Sequence, residues 1–134
     1  MATGKGQQAT PPPLHELESE VMEELWSSGE ATVRAVMDAL NERAPKPRAY
    51  TTYMTIMARL HTKGMLARRR DRKTDYYAPL FGRNEYLERR ARSEVEQLVA
   101  QYGDLALSNF AAQMASLDPA RRRALQRLAR DGDS

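Results

Sequence analysis

The sequence has no cysteine. That excludes a disulfide scaffold, a cysteine-bearing zinc site and thiol catalysis, and it suits the reducing cytoplasm, the expected compartment. No run of about 18 apolar residues occurs, so no membrane insertion is expected. The N-terminus also lacks the apolar stretch of a signal peptide. Histidine is scarce: His15 and His61 stand far apart, without metal-like spacing to acids, so no metal site is expected. There is no glycine-rich phosphate loop, no nucleophile elbow and no internal repeat of about 20–50 residues. Glu16, Glu18, Glu20, Glu23 and Glu24 read as an acidic helix surface. No catalytic residue and no cofactor is expected. Aromatic residues are few, and Trp26, the sole tryptophan, sits in an apolar stripe and is read as core.

What is present is an uneven charge. The 134 residues carry a net charge of only +3. From Leu14 to Glu42 there are eight acids and one base, Arg34; from Arg43 to Lys73 there are ten bases and one acid, Asp71. A local swing of this kind marks a directed electrostatic surface better than overall pI does.

Periodicity organises the chain. Residues 1–13 are polar, end in three prolines and read as a disordered tail, as do 131–134. Leu17, Val21, Met22, Leu25 and Trp26 form the stripe of a helix over Leu14–Ser27, ended by Gly29. Thr32 reads as an N-cap for a second helix carrying Val33, Val36, Met37 and Leu40. Pro45 and Pro47 break it. A third helix over Tyr50–Lys63 places Tyr53, Ile56, Met57 and Leu60 on one side and Thr51, Thr52, Thr55 and Arg59 largely on the other, with Gly64 as the stop. Strands over Met65–Arg70 and Thr74–Pro79 flank a polar turn, Asp71-Arg72-Lys73. Of Tyr76 and Tyr77, alternation predicts one packed and one outward. After Gly82 the helical pattern resumes, in three segments with narrow stripes, the last starting at Asp118-Pro119.

Three helices followed by a hairpin is the order of a winged helix-turn-helix. The expected fold is therefore mainly α with a small β-hairpin: a winged-helix domain over 14–82 and a helical dimerisation arm over 83–130. In such a unit the third helix enters the major groove. Thr51, Thr52 and Thr55 are short enough to bring the helix to base edges, where each can hydrogen-bond or touch a thymine methyl. Threonine is a mediocre helix former, so three in one turn call for a cause beyond folding. Arg48, Arg59, Lys63, Arg68, Arg69, Arg70, Arg72 and Lys73 can neutralise phosphates; Tyr50 can donate its hydroxyl to one, or can serve equally in capping or packing. The arm is too polar to form a core alone. It is expected to pair with a second copy through Leu98, Tyr102, Leu107, Phe110, Met114 and Leu125. Two readings compete with DNA binding: a protein–protein adaptor whose basic hairpin meets an acidic partner such as a sigma factor or protease, and a repressor answering to a small molecule held between arm and winged helix.

Several segments carry a family resemblance. Leu17-Glu18-Ser19-Glu20-Val21-Met22 with Leu25-Trp26, Thr32-Val33-Arg34-Ala35-Val36, Ala49-Tyr50-Thr51-Thr52 with Thr55 and Arg59-Leu60, Lys63-Gly64-Met65-Leu66, and Tyr76-Tyr77-Ala78-Pro79 resemble the penicillinase-repressor (BlaI/MecI type) family. The likeness runs from about Leu14 to Leu128, densest before Gly82. It implies a homodimeric transcriptional repressor on an inverted repeat built on TACA/TGTA, with Thr51, Thr52, Thr55 and Arg59 facing the groove. Met54 departs from the pattern, where a polar or basic residue is usual. The resemblance further implies a membrane sensor protease as a partner and cleavage of an Asn-Phe bond in the arm, for which Asn109-Phe110 is the match. Copper sensing through C-terminal cysteines, known in a similar branch, is excluded here.

Overall fold

The computed structural model describes residues 10–132. Its elements are α1 (Glu16–Ser28), β1 (Ala31–Thr32), α2 (Val33–Arg43), α3 (Tyr50–Thr62), β2 (Leu66–Asp71), β3 (Thr74–Pro79), α4 (Arg83–Tyr102), α5 (Asp104–Ala115) and α6 (Pro119–Gly132). The chain divides into two compact units, one ending at Ala91 and one beginning at Arg92. The division falls inside α4.

In the first unit, the apolar stripes of α1–α3 converge on a single core. Val21, Met22 and Leu25 of α1, Val36 and Leu40 of α2, and Tyr53, Met57 and Leu60 of α3 are buried together with Met65, Leu66 and Tyr77. Thr32 caps α2 as expected: its hydroxyl accepts the Ala35 N–H at 3.1 Å. The end of α3 is a Schellman turn. Gly64 takes φ +84°, its N–H donates to the His61 carbonyl, and the Met65 N–H reaches back to the Leu60 carbonyl at 2.9 Å. Met65 and Leu60, which such a turn brings together, are both fully buried.

The sheet has three antiparallel strands in the order β1-β3-β2, where the sequence suggests two. The extra strand pairs Ala31 with Tyr77 and Thr32 with Tyr76. Two residues are too few to show alternation, so nothing in the sequence marks it. Strands β2 and β3 pair from Leu66↔Pro79 to Asp71↔Thr74, leaving Arg72 and Lys73 as a two-residue tip. Arg72 takes φ +62°, a region that costs a side-chain-bearing residue about 1 kcal/mol. Tyr77 is packed and Tyr76 is half-buried, as the alternation predicts.

Two differences lie at the edges. Pro11 and Pro12, read from composition as tail, are tied down: the Tyr86 hydroxyl donates to the Pro12 carbonyl at 2.8 Å and Arg90 Nη1 to the Pro11 carbonyl at 3.1 Å. Residues 1–9 and 133–134 of the two expected tails lie outside the described residues, while Asp131 and Gly132 are helical. The start of α4 also belongs to the winged-helix core rather than to an arm beginning at Arg83. Tyr86 is buried, with its ring 5.5 Å from Trp26 and stacked at 6.4 Å on Phe81. Trp26 itself is packed against the core, and its indole N–H donates to the Phe81 carbonyl at 2.9 Å. In the second unit, Asp118 caps α6 by accepting from the Ala120 and Arg121 N–H groups.

Candidate nucleic-acid interface

Helix α3 buries Tyr53, Met57 and Leu60, so the rest of its circumference is offered outward. Thr51, Thr52, Thr55 and Arg59 are exposed and, with half-buried Ile56, line a shallow open depression of about 320 Å³. Met54 is 44% exposed on the same outward side. A helical wheel at 100° per residue puts Thr51 and Thr55 at the centre of this face, Met54 at one edge, and Thr52 and Arg59 at the other.

The N-terminal end of α3 is set by a side chain that sequence reasoning missed. Asn41 of α2 donates Nδ2–H to the Arg48 carbonyl (2.9 Å) and accepts both the Arg48 N–H (3.0 Å) and the Tyr53 hydroxyl (2.8 Å) on Oδ1. One polar residue in a mixed helix reads as solvated, and no sequence signal distinguishes it. Tyr50 begins α3 with its ring exposed and the Arg34 guanidinium 5.6 Å from its centroid. The structure thus adds Arg34 to this end of the helix.

The expected cations fall into two groups. Some are engaged within the protein. Lys63 Nζ lies 2.7 Å from Glu18 Oε2, Arg48 lies 3.6 Å from Glu20, and Arg70 Nη1 lies 3.3 Å from Asp75. Arg69 grips Glu30 through two bonds of 3.1 and 2.9 Å while its guanidinium lies 4.5 Å above the Tyr76 ring. That fork depresses the Glu30 carboxyl below its ordinary range and raises the Arg69 guanidinium. The remainder, Arg59, Arg68, Arg72 and Lys73, are exposed and make no ion pair among the described residues. Among these expected cations, the unpaired ones therefore lie on the outward face of α3 and along the hairpin.

Glu18 is 1% exposed. Burial alone would raise its pKa. The Lys63 ammonium and the His15 backbone N–H, which donates to Oε1 at 3.0 Å, outweigh it and hold the carboxyl below its usual value. The pair joins the first turn of α1 to the end of α3.

In the second unit, Leu98, Tyr102 and Phe110 line one open apolar groove of about 420 Å³ with Leu105, Ala106 and Asn109. Of the other expected interface residues, Leu107 is exposed outside that lining, and Met114 and Leu125 are half-buried. The Asn109-Phe110 bond lies inside α5, and the Asn109 amide donates to the Leu105 carbonyl at 2.9 Å.

A model of the family described as "Penicillinase repressor" matches residues 14–131. The chain belongs to the penicillinase repressor family. Its relatives there are transcriptional regulators, not enzymes. Two Mycobacterium tuberculosis proteins (strains CDC 1551 / Oshkosh and ATCC 25618 / H37Rv), each named transcriptional regulator BlaI, are 45% identical over 73 residues, 54% of this chain and 51% of theirs. The chain spans about half the length of these curated relatives. Two solved structures share the fold. A solution structure of the DNA-binding domain of the repressor BlaI gives a TM-score of 0.50 at 24% identity, covering 57% of this chain and 90% of that one. The complex structure of hsRosR-S4 gives 0.50 at 14% identity, covering 92% and 93%. This penicillinase repressor relative is thus a winged-helix protein, mainly helical with a small antiparallel sheet. No helix among its described residues is long and apolar enough to cross a membrane.

Proposed function

We propose that this chain is a cytoplasmic, DNA-binding transcriptional repressor working as a homodimer on an inverted repeat of the TACA/TGTA kind. One observation carries the reading. The outward face of α3 joins short hydroxyl side chains to an unpaired Arg59, and the neighbouring hairpin keeps Arg68, Arg72 and Lys73 free of acids. Thr51, Thr52 and Thr55 read base edges, and Met54 supplies apolar contact suited to a thymine methyl. Arg59 and the hairpin tip neutralise phosphates, with Tyr50 and Arg34 at the start of α3. Lys63, held on Glu18, braces the fold instead of meeting DNA.

The exposed groove at Leu98, Tyr102 and Phe110 supports pairing of two arms. Two-fold symmetry would set the reading helices about 34–36 Å apart, or a multiple of that. Proteolytic relief at Asn109-Phe110 by a membrane sensor protease fits the family. In this chain it requires α5 to open first, because a protease takes its substrate as extended backbone.

Gel-shift titration of the full chain tests the reading. With about 6–10 phosphate contacts per dimer, affinity falls on the order of 10³–10⁵-fold from 50 to 200 mM salt, and an inverted repeat outcompetes its scrambled version. Salt-independent binding, or equal competition by scrambled duplex, overturns it.

A further inference from the structure

The connection between α2 and α3 contains Pro45 and Pro47, which donate no hydrogen bond, and Ala49 caps α3 without a side-chain bond. Asn41 takes over that task. Its carboxamide pairs with both backbone groups of Arg48, as a neighbouring strand would, and its oxygen also receives the Tyr53 hydroxyl. Both lone pairs of Oδ1 are used. Exchanging the amide's oxygen and nitrogen would set donor against donor at Arg48, so the partners dictate its orientation.

The two anchor points bracket Tyr50, Thr51 and Thr52. Further along α3, Met57 and Leu60 are fully buried and the Schellman turn fixes the end. At the N-terminal end the core holds the helix mainly through the Tyr53 ring. Burial of a ring is non-directional and leaves the turn free to roll, whereas hydrogen bonds to Asn41 are directional. Readout of a base edge depends on such placement to within about half an ångström.

We propose that Asn41 is a positioning residue for sequence readout. It fixes the depth and rotation at which the first turn of α3 meets the bases, without touching DNA itself. The proposal rests on the DNA-binding reading above.

The test uses the full chain and a duplex selected by the wild type from a randomised pool, against a scrambled duplex of equal length. Asn41→Ala is expected to lower the selected-to-scrambled affinity ratio on the order of tenfold, the size of one good base contact. Affinity for scrambled duplex and the salt slope stay as in the wild type. Without DNA, amide exchange over residues 50–53 quickens. Asn41→Asp keeps both acceptor bonds but sets an oxygen against the Arg48 carbonyl, so its ratio falls between those of Asn41→Ala and the wild type; Tyr53→Phe, the mildest change, keeps most of the ratio. An Asn41→Ala protein with the wild-type ratio overturns the proposal, as does a parallel loss on both duplexes. A wild type that selects no sequence overturns the DNA-binding reading itself, and the proposal falls with it.

Discussion

Replacing Lys63 by methionine would strand a carboxylate in the core. Glu18 is 1% exposed and its partner side chain 27%, at 2.7 Å separation. Losing one member of a fully buried pair costs about 3–5 kcal/mol. Water reaches part of Lys63, and the His15 N–H stays on the carboxylate, so about 2–3 kcal/mol is expected here. For a unit of this size that lowers Tm by about 10–20 °C. The pH dependence gives the sharper signature. In the wild type the Glu18 pKa is lowered on folding, so its contribution is complete above the ordinary value of 4.5 and is lost as pH falls below it. In Lys63→Met, burial, the largest influence on Glu18, is opposed only by His15, chiefly its backbone N–H, and favours the neutral acid, so the variant loses most at neutral pH and regains ground as Glu18 protonates. Urea unfolding of both proteins, followed by circular dichroism at pH 7 and pH 4, should show a gap of about 2–3 kcal/mol that narrows to under about 1 kcal/mol in acid. A gap of equal size at both pH values would refute the ion-pair account. Measured where both proteins are folded, the salt slope of DNA binding should not change; a slope reduced by about one would return Lys63 to the phosphate contacts.

Arg72→Ala and Lys73→Ala should each weaken selected and scrambled duplexes alike and reduce the salt slope by about one, whereas Thr55→Ala should relax sequence choice and leave the slope intact; gel-shift competition distinguishes them. Replacing operator thymines by deoxyuridine one at a time removes only a methyl group, and at one position it should weaken the wild type several-fold but leave Met54→Ala unaffected. Equal losses for both proteins at every position would remove Met54 from the reading face. Phe110→Asp places a charge in the exposed groove of the second unit, and sedimentation is expected to show a dimer for the wild type and a monomer for the variant; a dimer for both would put the interface elsewhere.

The helices and the hairpin were legible because their signals are local. Stripes such as Val21, Met22 and Leu25, a cap at Thr32 and a stop at Gly64 each act within a few residues. The shared outward placement of Thr51, Thr52, Thr55 and Arg59 was legible for the same reason, since all four lie on one helix. What escaped depends on distant partners. Arg69 looks like a free cation until Glu30 is brought to it across 39 positions. Lys63 likewise looks unpaired until α1 delivers Glu18. Pro11 and Pro12 have a tail's composition, and what holds them is Tyr86 and Arg90, more than 70 residues away. Strand β1 is too short to carry a pattern, and Asn41 has no neighbour that marks it.

Trp26 has a practical consequence. It is the sole indole in the chain, and it lies wholly within the first unit, bonded to Phe81 and beside Tyr86. Its emission therefore reports the melting of that unit alone, while far-ultraviolet dichroism sums the helices of both. Comparing the two curves on unlabelled protein shows whether the first and second units melt together or in turn. Repeating the comparison at several protein concentrations shows whether a second copy holds either transition in place.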